Sequence, residues 1–506
     1  MSDTAVVESG TRLQNFLDRA GLRGFPWKTA TILYTISWGW LFIVRDSLWS
    51  DDWIFWINFD YSIQGWAPWI SFEVELVRSL GLRVMHASIF GSFYLSSLLL
   101  FGILRQIPQL NDSECRLTVL LFLLLPFNTA RVALMVYWYT LGYLIFFLAW
   151  YLTVTFRTKR IRFLSIGLFF MSFQFHSLLV FYSLPVMHMI MLSSVGNFRD
   201  LIVWLRKNIV VFVPLTYWVF RSRFWPEKVY YHDVSVLRAA SSIPFLFVTS
   251  VALVVVGFFH LKVNVELKKI VKIVFFGLYA IFAGLFPYVV LGFFKPDWSI
   301  FIKYLVTVFG RSDWYSRHLM LQPLGVSLVV VAVLSLLSLP KRSLSTMFQF
   351  FALTFCLAFN LGFGFEYVVD YQKQKEVIYE LRETQDGLSP SRFTIIDQTT
   401  ILNARGRAYD YRDWRGLISY ALDSELQYRE NVVIKNSCVL ESDARLVLIQ
   451  GPETHWEALK NWVSDGDMGF RVTVDDTPGA CKPEMVTSER VSGAIPILFY
   501  FTGAKG

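Results

Sequence analysis

Apolar runs of about 20 residues recur along this chain between short charged clusters, and nothing else in it restricts the fold as much. A run of that length crosses a hydrocarbon layer as one helix, and inside the layer the backbone must satisfy its own hydrogen bonds. The runs fall at 29–44, 86–104, 117–156, 163–192, 209–220, 239–260, 273–294, 319–339 and 344–365. The third and fourth are too long for one crossing and carry polar interruptions, PFNTAR at 126–131 and FQFHS at 173–177. Each reads as a helical hairpin, which predicts about eleven membrane helices. The hairpin at 163–192 is the shallower of the two.

Charge orients the spans. Of 506 residues, 55% are hydrophobic and 17% charged, against roughly 25% charged in a soluble domain; mean hydropathy is +0.46. The net charge of +8 would suit nucleic acid if the cations shared one face. They sit instead in clusters between apolar runs, RTKRIR, LRK and KKIVK, the positive-inside pattern of a membrane protein. Nucleic acid is therefore excluded as a partner, and membrane lipid is expected. Residues 1–28, 105–116, 157–162, 193–208, 261–272 and 340–343 are then cytosolic. The partition leaves no Asp, Glu, Lys or Arg inside a span, as the cost of charge in hydrocarbon requires. The polar, mixed-charge segment 1–28 precedes the first apolar run, which is too late for a cleavable signal and reads as a retained anchor.

An odd number of crossings puts everything after residue 365 outside. Residues 366–506 are polar and carry no further span. RFTIID (392–397), ARLVLIQ (444–450) and FRVTVDD (470–476) read as strands, rich in β-branched and apolar residues. DYRDWRGLISYALDSE and ETHWEALKNWVSD read as amphipathic helices. The expected fold is an all-α polytopic membrane domain at 29–365 followed by a small α/β extracytoplasmic domain. Cys438 and Cys481 both fall in that outer domain, where an oxidising compartment favours a disulfide; two free buried thiols are the alternative. Neither their spacing nor that of the seven histidines is a metal pattern, and His176 and His188, in apolar surroundings, read as structural.

Known nucleotide and protease motifs are missing: no P-loop, no GxGxxG after a strand, no HExxH. GFGFE at 362–366 ends a membrane helix and is no dinucleotide loop. What remains is polar chemistry in the outer loops. SLWSDDWIFW (47–56) sets Asp51 beside Asp52 just after the first span. The segments 221–233 and 295–318 carry Arg221, Arg223, Lys228, Arg311, Arg317 and His318 among aromatics. Interfacial anchoring accounts for such residues singly; together they suit an anionic ligand at the outer face. A carboxylate can take a proton from an acceptor hydroxyl, and arginine forks match phosphate oxygens. For Asp51 and Asp52, a solvated loop or a helix N-cap after Ser50 is the alternative.

This layout resembles the GT-C class of integral-membrane glycosyltransferases, which take sugar from a polyprenyl-phosphate carrier. The resemblance rests on an acidic pair in the first outer loop, matched by Asp51 and Asp52, and on an amphipathic stretch after it, matched by 65–85. It also rests on short helix hairpins, a C-terminal outer domain, and WYSRHLMLQPLG (314–325), similar to the basic segment that helps hold the carrier phosphate. It covers roughly residues 1–365 and implies an inverting transferase of the cell (inner) membrane. The donor would be a polyprenyl-phosphate-linked sugar and the acceptor a glycan, lipid or protein of the cell envelope. A divalent metal ion held by Asp51 or Asp52 is a candidate cofactor. A lipid-linked polysaccharide polymerase or ligase is one alternative, although its main hydrophilic loop would sit between spans. A secondary transporter is another, although coupling would call for charges inside the spans.

Overall fold

The computed structural model describes residues 22–49, 52–53, 72, 75–76, 79–127, 129–156, 158–193, 198–224, 265–290, 319–338, 342–384, 392–407, 409–422, 432–434 and 444–475. Asp51, Lys228, Arg311, Arg317, His318, Cys438, Cys481 and the span at 239–260 lie outside the described residues. The molecule is mostly helical. Among the described residues four helices are long and apolar enough to cross a membrane, over Leu82–Leu104, Val136–Thr155, Lys269–Tyr288 and Ser343–Glu383.

The first apolar run forms α1 (Trp27–Trp38), entered from Pro26, and then tightens into a 3-10 turn over Gly39–Phe42. Together they rise roughly 26 Å, slightly less than one hydrocarbon layer. Next come α2 (Leu82–Leu104) and α3 (Asp112–Leu124). A capping box starts α3: Asn111 accepts from the Glu114 amide at 2.9 Å, and Glu114 accepts from the Asn111 amide at 2.8 Å. PFNTAR becomes a turn, with Thr129–Val132 in 3-10 form, that leads to α4 (Leu134–Thr155). The run 163–192 folds as α5 (Lys159–Ser172), α6 (His176–Phe181) and α7 (Ser183–Leu192), turning at 173–175. Both long apolar runs thus bend at their polar interruptions.

The run at 209–220 is less regular than its hydropathy suggests. After α8 (Phe198–Lys207), Ile209–Thr216 forms a 3-10 segment containing Pro214 and only then continues as α9 (Tyr217–Phe224); proline has no N–H to give an α-helical ladder. The late helices are α10 (Val265–Val290), α11 (Gln322–Ser338) and α12 (Arg342–Glu383). At the α10–α11 crossing, a Cβ on Gly325 would lie 2.6 Å from the Gly277 carbonyl oxygen, so paired glycines let the two backbones touch.

Two sets of connections gather at opposite ends of the bundle. At one end Arg105 donates to the Arg23 carbonyl at 2.8 Å and Arg116 to that of Gly24 at 2.8 Å. There too Glu114 binds Lys269 at 3.1 Å and accepts from Ser335 at 2.9 Å, tying α3, α10 and α11 together. At the other end the 3-10 turns 39–42 and 129–132 meet α12: Trp40 stacks on Tyr367 at 4.9 Å, and the Tyr367 hydroxyl donates to the Thr129 carbonyl at 3.3 Å.

Forty-two residues make α12 roughly 60 Å long, about twice a hydrocarbon layer. The apolar part, 344–365, is the portion suited to crossing. The helix runs on without a break into the polar region and forms the platform for the C-terminal domain. That domain comprises β1 (Arg392–Asp397), α13 (Tyr411–Ala421), β2 (Val432–Ile434), β3 (Ala444–Gln450), α14 (His455–Asp465) and β4 (Arg471–Asp475). The sheet order is β2-β1-β3-β4, with β1 parallel to β2 and β3, and β4 antiparallel to β3. The pairs Phe393↔Arg445 and Ile395↔Val447 set the central register. Helix α14 starts at a Thr454 cap and stops at left-handed Gly466.

Candidate functional site

The acidic loop lies where the two parts of the molecule meet. Asp52 is wholly buried. Its Oδ2 accepts from the backbone amide of Trp49 at 3.0 Å and from that of Leu134, the first residue of α4, at 2.9 Å. Ala133 gives α4 no side-chain cap, so Asp52 supplies one from 82 residues away and places negative charge at a helix N-terminus. The sequence offered a local helix cap after Ser50 as one of two alternatives to catalysis. The capped helix belongs to the bundle, not to the loop.

The next residue is clamped from the other side. Trp53 is 2% exposed, and α13 packs on it so closely that a Cβ on Gly416 would collide with the Trp53 Cβ. Tyr420 on the same helix meets the Trp53 ring edge-on at 5.9 Å. Just upstream, Arg83 grips Asp46 with two hydrogen bonds, 3.0 and 3.2 Å, and His86 Nδ1 contacts the Arg45 carbonyl at 3.1 Å. Residues 45–49, 52 and 53 are thus fastened to α2, α4 and the C-terminal domain.

The expected phosphate ligands that are described sit on α9. Arg221 is buried and Arg223 exposed. Helix α9 reaches the 173–175 turn, where Tyr217 donates to Gln174 at 3.2 Å. That turn rests on α4 at Tyr139, whose ring lies 4.4 Å from Phe175, roughly 8 Å along the axis from the helix start that Asp52 caps. The start of α9 thus reaches the same turn as α4, and no contact joins Arg221 or Arg223 to Asp52 among the described residues.

Two features were missed by the sequence reading. Arg131, hidden in the PFNTAR interruption, is 1% exposed, with its guanidinium carbon 3.1 Å from the Trp38 ring centroid and 4.3 Å from that of Phe93. The second is a polar cluster between α12 and the C-terminal domain. Lys373 binds Asp397 at 2.5 Å and Asn403 at 2.6 Å. Asp370 accepts from the Ala404 amide at 2.8 Å and from the Tyr409 hydroxyl, which also accepts from Gln374 at 3.0 Å. Arg407 makes a fork with Asp413 at 2.8 and 3.1 Å. Burial pushes the Asp370 carboxyl up to about 6, although Lys373 pulls it down. Burial opposes the charge on Arg407, but Asp413 beside it wins and holds it protonated. The spacing Asp370-x-x-Lys373 puts both on one face of α12, the one signal that could have found this cluster.

Among the described residues no group of three or more His, Cys, Asp or Glu gathers as a metal site, and the carboxylate oxygen Oδ2 of Asp52 already serves two amides. Compared with known proteins, the chain matches no family model, no curated protein and no solved structure.

Proposed function

We propose that this protein is a membrane glycosyltransferase that moves a sugar from a polyprenyl-phosphate carrier to an envelope acceptor, at the membrane face bearing the acidic loop and the C-terminal domain. The opposite end, with Arg23, Arg105, Arg116 and Lys269, would face the cytosol. One observation carries the reading: Asp52 and Trp53, next to Asp51 in the sequence, are held against α4 and α13 at the end of an apolar bundle. A disposable surface loop needs no such fastening, whereas a catalytic group must be held within a fraction of an ångström.

The pinning divides the work. Asp52, buried and engaged by two amides, positions the loop and caps α4. Asp51 is then the general base. It takes the proton of the acceptor hydroxyl as that oxygen attacks the anomeric carbon from the face opposite the phosphate. The bond from that carbon to the phosphate oxygen breaks, and the carrier phosphate leaves with the electron pair. Cations stabilise it as charge develops, the candidates being Arg221 and Arg223 on α9 and Lys228, Arg311, Arg317 and His318 in the outer loops read from the sequence. The apolar helices would house the isoprenoid chain.

Incubating purified, detergent-solubilised protein with a radiolabelled polyprenyl-phosphate sugar and envelope extract tests this. Labelled acceptor formed in proportion to protein is the expected result. Retention of all label on the carrier across the common sugars, with transport of a solute in reconstituted vesicles instead, would overturn it. A reporter fused after Gly506 should be active only outside the cytosol.

A further inference from the structure

The first apolar run ends at Val44, and the run that becomes α2 begins at His86. Arg45 is therefore the first charge past one span, and Arg83 stands within one helical turn of the other. His86 holds the two ends level, with Nδ1 3.1 Å from the Arg45 carbonyl and 3.1 Å from that of Leu82. Both arginines thus leave the apolar layer at the same depth, on the face that carries the acidic loop.

Their charges do not cancel. Asp46 lies between them, and Arg83 takes it with a fork of 3.0 and 3.2 Å. Arg45 is left with its Nε 3.7 Å from Asp46 Oδ2, beyond hydrogen-bond length. Among the described residues nothing accepts a hydrogen bond from this guanidinium, which has five N–H donors and no acceptor. The Arg45 side chain is 53% exposed, so a ligand reaches it from the surface without entering the packed bundle. Tyr371 on α12 feels the charges of Arg45, Asp46 and Arg83 together, which brings α12 beside the cluster. Interfacial anchoring accounts for one arginine at this depth. It does not account for a second arginine that occupies the shared acid and leaves the first with a surplus charge.

We infer that Arg45 binds the phosphate group of a membrane lipid, with Arg83 as the second cation of the site. The guanidinium presents paired N–H donors to two phosphate oxygens, and lipid phosphates lie at the headgroup depth where both arginines emerge. The lipid chain stays in the apolar layer while its phosphate meets Arg45. Asp46 holds Arg83 in place beside it. The site stands apart from the transferase reading, because it fills whether or not any sugar is transferred. The phosphate comes from a polyprenyl-phosphate carrier or from an ordinary anionic phospholipid.

Thermal unfolding of the full-length protein in a neutral detergent tests the site. Dodecyl phosphate is the shared probe and dodecanol its uncharged control, with a long-chain polyprenyl phosphate and phosphatidylglycerol as the two sources. A saturable rise in Tm with dodecyl phosphate, absent with dodecanol, is expected. In Arg45→Gln the apparent affinity should fall about tenfold, as loss of a charge-assisted pair predicts. Arg199→Gln removes an exposed arginine on α8 and should keep the wild-type response. A further rise with polyprenyl phosphate alone identifies a carrier site, and one with phosphatidylglycerol a site for ordinary phospholipid. Should Arg45→Gln fail to fold, Arg45→Lys replaces it, since it keeps the charge and loses the fork. No rise with dodecyl phosphate in the wild-type protein, an unchanged affinity in the Arg45 variant, or an equal loss in Arg199→Gln overturns the inference.

Discussion

Buried cations on the two sides of residues 366–371 are treated in opposite ways. In the C-terminal domain Lys373 and Arg407 each meet a carboxylate at hydrogen-bond distance, Asp397 and Asp413. In the bundle Arg131 meets aromatic rings and no acid among the described residues. A cation paired inside the chain is spoken for and holds structure together. The contrast marks the domain side as the joint that fixes α12 to the sheet, and the bundle side as an aromatic seat for one cation.

Breaking the paired side should have the largest effect. Lys373 and Asp397 are 1% and 5% exposed, and removing one partner of a buried pair costs about 3–5 kcal/mol. Lys373→Met should therefore unfold or loosen the C-terminal domain, which proteolysis and urea unfolding would detect. Arg131→Met leaves no described acid stranded and should cost far less. Equal losses in the two would erase the distinction.

Asp370 sharpens the same side through pH. Its carboxyl is raised from 3.8 to about 6, so between those values the folded protein binds more protons than the unfolded chain. Stability from this group is then greatest below about pH 4 and falls as pH rises through 6, by on the order of 2–3 kcal/mol. The wild-type minus Asp370→Asn difference in unfolding midpoint, followed from pH 4 to 7, should show that slope.

A smaller effect is expected where the two sides touch. Gly416→Ala pushes a methyl group into Trp53 and should cost about 1–3 kcal/mol by overpacking, seen as easier proteolytic release of the C-terminal domain. The smallest belongs to Arg83, whose partner Asp46 is also exposed. Arg83→Gln should leave the unfolding midpoint unchanged within error, because exposed pairs contribute little.

Much of this architecture is legible in the residues. The polar breaks PFNTAR and FQFHS turn where they interrupt apolar runs, since a chain in lipid bends where it can place polar groups. The strands at 392–397 and 444–450 and the helices that follow the first and third strands match their β-branched and amphipathic patterns. The three-residue β2 is too short to leave a pattern. The change in composition at Phe365 reads as a boundary, yet α12 crosses it, because charge alters what a helix faces and not whether it continues. Asp52 was legible as a candidate, but its long-range cap on Leu134 was not. Arg131 was concealed by the turn that holds it, where a polar residue looks ordinary. Lys373 finds its carboxylate 24 residues on, and Asp370 its hydroxyl partner 39 residues on, contacts that only the fold creates.

The central claim is that the pinned loop carries out sugar transfer with Asp51 as base and Asp52 as its positioning neighbour. The most direct test is the rate of transfer from a polyprenyl-phosphate sugar by Asp51→Asn, Asp52→Asn and the double variant, with folding monitored in parallel. Asp51→Asn should lower kcat about 10²–10⁴-fold with an unchanged unfolding midpoint, while Asp52→Asn should lose stability together with rate, because its carboxylate caps α4. Full transfer by the folded double variant would contradict the account and leave the acidic pair as a structural clasp alone.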